Sequence, residues 1–142
     1  MAGAPIQAER VVAATPEAVF AFLSNLANHW KLTGRWVEAV ALEDSNGRVR
    51  IHGPLGLRRT ARTTVVDAAP SHVIHGTAEL SRGTLARVSW ELTEDADGTA
   101  VRLSAEVERA ALPDRLLLAL GGRAWMARRF ETILERLDGQ FS

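Results

Sequence analysis

Val88-Ser89-Trp90-Glu91-Leu92-Thr93-Glu94-Asp95-Ala96-Asp97-Gly98-Thr99-Ala100-Val101-Arg102-Leu103 alternates apolar and polar residues on both sides of an Asp-Gly pair. Alternation with period two marks a strand with one buried face. Asp-Gly between two such runs marks a hairpin with a two-residue loop. Folding the chain at Asp97-Gly98 predicts Leu92 across from Leu103, Trp90 from Ala105, Val88 from Val107 and Arg87 from Glu108. Apolar side chains then meet on one face and opposite charges on the other, which supports the register.

Working outward, strand patterns separated by turn signals extend over Trp36 to Glu108. Asn46-Gly47 is a second hairpin signal, which would pair Glu43 with Arg50 and Leu42 with Ile51. Ser81-Arg82-Gly83 marks a third turn. Toward the N-terminus, Ile6 to Ala14 reads as an opening strand. Thr15-Pro16-Glu17 then supplies a hydroxyl cap, a proline for the first turn and an acid near the positive end of the helix dipole. Val19, Phe22, Leu23, Leu26 and Trp30 follow at helical spacing, with a break expected near Ser24-Asn25. Beyond Pro113 the period becomes 3.6: Leu116, Leu120, Ala127, Phe130, Leu134 and Leu137 form one stripe, flanked by Met126 and Ile133. Gly121-Gly122 interrupts or kinks this helix.

The 142 residues suit one domain, 46% apolar and 24% charged, with 17 basic residues balancing 17 acidic ones. A nucleic-acid binder would show a basic excess, so nucleic acid is not an expected partner. With no cysteine, disulfides, thiol catalysis and cysteine metal sites are excluded. The N-terminus lacks the basic start and apolar run of a signal peptide, and the longest clean apolar run, Leu116 to Leu120, is too short for a bilayer. The expectation is a cytoplasmic protein with no stable membrane insertion.

The order of strand, short helical segment, meander of about six strands and long terminal helix resembles the helix-grip arrangement. The chain is similar to the START/Bet v 1-like (SRPBCC) superfamily, in its polyketide cyclase/dehydrase-like branch. The residues carrying the likeness are Ala14 to Leu23, Val88 to Thr93, Asp97 to Leu103 and the Arg-rich terminal helix ending in Glu135-Arg136-Leu137. These are capping, hairpin and core residues, which specify fold better than activity. The resemblance implies an α+β domain over residues 1–142, with a curved antiparallel sheet of about seven strands wrapped around the terminal helix. It also implies a deep cavity for sterols, lipids, polyketides or other largely apolar ligands, in relatives that are cyclases, hydrolases or only carriers. The quinone-handling relatives carry a tyrosine- and proline-rich segment where this chain has Asn28 to Leu32 and no tyrosine.

Strand parity and the resemblance together give an expected ligand-binding set: Trp36, Glu38, Val40, Ile51, Arg59, Ala61, Thr63, Trp90 and Leu103 from the sheet side, with Arg123, Ala127 and Phe130 from the helix. Small residues on facing surfaces (Ala61, Ala86, Ala105, Ala124, Ala127 and Gly53) leave either a pocket or a closer approach of helix to sheet. Glu38, His75 and Arg123 are the catalytic candidates, each with two arrangements open. Parity from Leu42 turns Glu38 inward, toward a pairing with Arg59, unless a bulge near Gly34 to Val37 turns it out. Arg59 itself reaches inward or snorkels to water. A three-residue loop at Ser81 puts Ile74, Gly76, Ala78 and Leu80 inside and His75 outside, and a two-residue loop reverses them. Arg123 either holds a ligand oxyanion from the helix stripe or sits solvated in a first turn after the glycines. His29 and His72 read as loop residues and His52 as an outer-face one. No histidine pair has metal spacing with a carboxylate, no Gly-x-Ser-x-Gly occurs, and Gly53-Pro54-Leu55-Gly56-Leu57 lacks a phosphate-loop lysine. No metal or cofactor is expected. That glycine-rich segment suits an apolar lip at a cavity mouth or a plain connecting loop. Trp125 and Leu118 fall on the otherwise polar side of the terminal helix, an arrangement that suits a homodimer.

Overall fold

Thr15 joins the first strand to the first helix. Its hydroxyl accepts from the Ala18 amide at 3.2 Å, Pro16 takes the first helical position and Glu17 sits in the first turn. This cap ends β1 (Ile6–Val12) and starts α1 (Pro16–Leu23), which breaks at Ser24 before α2 (Leu26–Thr33). Five strands follow: β2 (Val37–Leu42), β3 (Asn46–His52), β4 (Arg58–Ala69), β5 (Val73–Leu80) and β6 (Leu85–Asp95). They lead into β7 (Gly98–Arg109) and α3 (Leu112–Leu117), then a π-turn (Leu118–Gly122) and α4 (Arg123–Gln140). The structure, a computed structural model, describes residues 5–33, 36–42, 46–52, 58–69, 72–80 and 83–141.

The seven strands form one curled antiparallel sheet in the order β1-β7-β6-β5-β4-β3-β2, with α4 gripped in its concave face. Phe130, Ile133, Leu134 and Leu137 of α4 are buried with Ile6 and Val12 of β1, Val101 and Leu103 of β7, and Val19 and Leu23 of α1. This half of the interior is closely packed. Asp138 ties α4 to the end of β1: one carboxylate oxygen accepts from Arg10 Nε at 3.2 Å and the other from the Ala13 amide at 3.3 Å.

The hairpin at Asp97-Gly98 forms, with its loop one residue earlier than expected. Ala96 and Asp97 make the turn, Asp95 pairs with Gly98, and the register becomes Leu92 with Val101, Trp90 with Leu103 and Val88 with Ala105. The slip is two residues in partner, so every side chain keeps its face. Arg87 now lies opposite Glu106, and its guanidinium still reaches diagonally to Glu108 at 2.7 Å. Gly98 explains the position of the turn. It sits at φ 141°, and a Cβ there would stand 2.0 Å from the Val12 carbonyl oxygen. The neighbouring Thr99 hydroxyl donates to the Ala14 carbonyl at 2.7 Å. Glycine is used here for a backbone approach between β1 and β7 that no side chain permits.

The expected turn at Asn46-Gly47 is corrected more deeply. Both residues belong to β3, with Gly47 opposite Leu42 and Glu38, not Glu43, opposite Arg50; Ile51 faces Val37. A bulge between Ala39 and Ala41 adds one residue to β2 and reverses its parity. Glu43 lies outside the described residues.

Candidate functional site

Where α4 moves away from β4, β5 and β6, the sheet and helix enclose a cavity of about 510 Å³. Its floor is the inner face of these strands, where small residues keep the space open: Ala61 on β4, Gly76 and Ala78 on β5, Ala86 on β6 and Ala105 on β7. Larger apolar side chains, Val49, Ile51, Val65, Ile74, Val88 and Leu103, complete that face. Trp125, Met126, Phe130 and Ile133 of α4 form the roof. His29, Trp30, Thr33 and Trp36 close one end, and Thr84, Asp114, Leu117 and Leu118 close the other. All four tryptophans of the chain line this one space.

Trp36 packs edge-on against Trp125, ring centroids 5.6 Å apart, and the Arg129 guanidinium stands 4.9 Å over the Trp125 ring. Trp125 is thus held between a cavity-wall indole and a cation. The expected placement of Trp125 and Leu118 on the polar side of the helix is corrected accordingly, because both residues line the cavity. The cause is the π-turn. Leu120 and Gly121 leave helical geometry, Gly121 at φ 107°, so the apolar stripe does not run through in phase. Leu117 and Leu118 face inward, while Leu116 and Leu120 of the expected stripe are 55% and 83% exposed.

Polar groups in the wall are few. Thr33 donates its hydroxyl to the Trp30 carbonyl at 3.0 Å, and Thr63 donates to the Gly47 carbonyl at 3.3 Å. The buried Thr84 hydroxyl donates to a carboxylate oxygen of Asp114 and accepts from the Ala111 amide at 3.0 Å, fastening α3 over the β5–β6 end of the cavity. At the α2 end His29 Nε2 lies 2.6 Å from the Leu23 carbonyl oxygen. A carbonyl only accepts, so the proton is on Nε2 and Nδ1 carries the lone pair. The ring stands 5.4 Å from that of Trp90 and 6.3 Å from that of Trp30. Burial lowers the imidazole pKa below its ordinary value, against a smaller opposing pull from the Leu23 hydrogen bond, so His29 is neutral at pH 7. The indole N–H groups of Trp30 and Trp36 are buried without an acceptor among the described residues.

Of the expected set, Trp36, Ile51, Ala61, Thr63, Trp90, Leu103 and Phe130 stand in the cavity wall. Glu38 does not: it lies on the outer face, 59% exposed, with Arg50 Nη1 and His52 Nε2 each 3.6 Å from its carboxylate. The bulge that turns it out lies at Ala39–Ala41, beyond the stretch from Gly34 to Val37 where sequence allows one. The expected Glu38–Arg59 pairing fails with it. Arg59 pairs through its backbone with Ile51, and its side chain is outside the described ones. Val40 is the unpaired residue of the bulge, its side chain likewise outside them. His75 is on the outer face, Nδ1 2.9 Å from Ser89 Oγ, while Ile74, Gly76, Ala78 and Leu80 line the cavity. Arg123 opens α4 after the kink and is not among the lining residues; Ala127 packs beside the core and Ala124 is exposed. Gly53 to Leu57 lie outside the described residues.

His29, Asp114, Thr84 and Met126 are wall residues that sequence reasoning missed. A partial signal for His29 was present: residues 29, 30 and 33 share one face of α2, so His29 follows Trp30 toward the sheet.

TTHA0849 from Thermus thermophilus has the same fold, with TM-score 0.68 and 20% identity over 96% of this chain and 95% of that one. So do Ms6760 from Mycobacterium smegmatis, with TM-score 0.71 and 11% identity over 96% and 89%, and the KanY protein, with 0.75 and 14% over 99% and 98%. At such identities the likeness shows the fold alone. No curated protein matches the chain. The agreement of strand order, gripped helix and apolar cavity with a sequence match over residues 4–141 is decisive: the chain belongs to the polyketide cyclase / dehydrase and lipid transport family.

Proposed function

We propose that the chain binds an apolar, ring-containing small molecule of polyketide or lipid type in the cavity between sheet and α4. One observation carries this reading: a space of about 510 Å³ whose wall contains four indoles and mostly aliphatic side chains. That volume lies within the roughly 300–1,000 Å³ of ordinary ligand sites. Unfilled apolar space of this size has no stabilising role, since it forfeits dispersion contacts on every side. Aromatic walls suit flat ring systems by stacking and edge contacts. Native mass spectrometry beside a denatured control tests the reading. A co-purifying apolar compound, or tryptophan quenching by an added three-ring probe, is the expected result. A protein that is empty and silent to every such probe would end it.

His29 favours a second reading, in which the bound molecule is also turned over. A neutral imidazole whose Nε2–H is anchored and whose Nδ1 is unpaired among the described residues has the form of a general base. It would take a proton from carbon next to a ketone, the C–H electron pair forming the C=C bond of an enolate as the carbonyl π pair moves to oxygen; the enolate carbon would then take a deuteron from solvent while the imidazolium gives up its proton to solvent. The methyl group of 9-acetylphenanthrene in D2O reports this step by NMR. Accelerated deuterium uptake that is lost in His29→Gln supports turnover. Uptake at the uncatalysed rate leaves a carrier.

A further inference from the structure

Apart from Thr63, Thr64 and Thr77 on the sheet, the polar side chains that line this cavity stand at its two ends, and the ends differ. At the α3 end the Thr84 hydroxyl is committed on both sides, donating to Asp114 and accepting from the Ala111 amide. At the α2 end the Thr33 hydroxyl is bonded to the Trp30 carbonyl, but other groups lack partners. His29 has its Nε2–H fixed on Leu23, which leaves Nδ1 an acceptor with no donor among the described residues. The indole N–H groups of Trp30 and Trp36 are donors with no acceptor among them, and Trp36 is only 9% exposed. Buried polar groups are rarely left unpaired without a reason. Here unmatched groups of both signs collect at one end of one cavity, and they belong to three residues within an eight-residue stretch.

Charge narrows the chemistry. The described lining residues include no arginine or lysine; Asp114, at the far end, is their one carboxylate. Lys31, the neighbour of Trp30, is exposed. A carboxylate or phosphate at the α2 end would be buried beside neutral donors alone, which is costly. A neutral hydroxyl meets no such penalty, and it both donates and accepts.

We infer that the ligand of this cavity carries a neutral hydroxyl, a phenol or alcohol, at its α2 end, donating to His29 Nδ1 and accepting from the Trp30 or Trp36 indole N–H. This rests on the cavity being a binding site for an apolar molecule, as proposed above, and adds the chemistry of its polar end. Both indole nitrogens are covered by neighbouring atoms, so accepting from them requires a small rotation of the ring.

Three probes of nearly one shape separate the terms: 9-phenanthrol, 9-methylphenanthrene and phenanthrene-9-carboxylate. Binding is followed by quenching of the four cavity tryptophans. The expected order is phenanthrol about tenfold tighter than the methyl compound, with the carboxylate weakest, since a site built to bond a hydroxyl discriminates against the analogue lacking it. In His29→Leu the phenanthrol affinity should fall to that of the methyl compound, whose own affinity stays within about twofold. The wild-type order tests the inference even if that variant does not fold. Equal binding of phenanthrol and methylphenanthrene would overturn the hydroxyl site and leave the apolar cavity standing. Tightest binding of the carboxylate would also overturn it, in favour of a charged head group. Failure of all three to bind would remove the inference together with the reading it rests on.

Discussion

Ala86→Phe distinguishes a working cavity from a helix merely packed on a sheet. Ala86 lies on the cavity floor in mid-sheet, between Ala78 of β5 and Val107 of β7, both of which also line the space. Replacing its methyl with a benzyl group sends a ring into the 510 Å³ void. If the void is real, the ring finds apolar surroundings without displacing anything. Burying a phenyl group contributes about 1.5–3 kcal/mol before side-chain ordering is subtracted, and cavity-filling changes commonly net about +0.5–2 kcal/mol. If helix and sheet were in close contact there, the same ring would overpack the core and cost about 1–3 kcal/mol. The two outcomes differ in sign. For a chain of this size each kcal/mol moves the melting temperature by roughly 3–4 °C. Thermal unfolding of protein stripped of ligand by refolding should therefore show Ala86→Phe melting a few degrees above wild type. The same variant should bind a three-ring probe at least about tenfold more weakly, because the ring occupies the ligand's place. A variant that melts lower and binds normally would refute the cavity as a site.

Other consequences can be measured independently. Gly98→Ala should cost more than about 2 kcal/mol in denaturant unfolding, because it combines a left-handed backbone with a Cβ 2.0 Å from the Val12 carbonyl oxygen; a loss under about 0.5 kcal/mol would disprove the close approach. Thr84→Val strands the Ala111 amide and removes the donor to Asp114, so about 1–3 kcal/mol of stability should go, with faster amide exchange in α3 than in α4. His29 sets an acid limit. Its folded pKa is lowered by burial, so the unfolded chain takes up the proton first on acidification and stability falls as pH drops. The contribution is complete above about 6.5 and is lost as pH falls through the lowered folded value. Among the described residues, the contacts given to the ring are from the Leu23 carbonyl, Trp30 and Trp90, none of which titrates there. His29→Gln should flatten the stability profile in that window, and an unchanged slope would place the acid sensitivity elsewhere.

Much of the fold was legible because its signals are local or obey simple parity. The cap at Thr15 needs three residues, and the alternation of Val88 to Leu103 decides which face is buried regardless of the partner strand. That is why a two-residue slip in the β6–β7 register leaves Trp90, Leu92 and Leu103 correctly inside. Errors enter wherever one inserted residue changes parity or phase. The extra residue in β2 turns Glu38 from a candidate acid into a solvated partner of Arg50 and His52. The π-turn does the same to the helix, exchanging Leu116 and Leu120 for Leu117 and Leu118. The extra residue in β2 has no compositional mark, whereas Gly121-Gly122 marks the helix kink without giving the change of phase that comes with it.

The same interruptions make the cavity. A sheet and helix with uninterrupted patterns would bury their apolar faces against each other, as α4 does against β1 through Phe130, Leu134 and Leu137. Space opens only where the patterns fail to meet, beyond the π-turn, over the bulged β4 and above the alanines of β4 to β6. A site built from departures is hard to read from periodicity, since each departure lowers the signal that would reveal it. His29 shows this directly. In a regular amphipathic helix it counts against the apolar face, so by periodicity it reads as a loop residue. It lies in the wall because the break at Ser24 lets α2 turn across the end of the cavity, and its imidazole closes on the Leu23 carbonyl at the end of α1. The imidazole in the cavity wall is thus positioned by a helix terminus, so the proposed polar end of the site depends on the helix break and not on the periodicity of either helix.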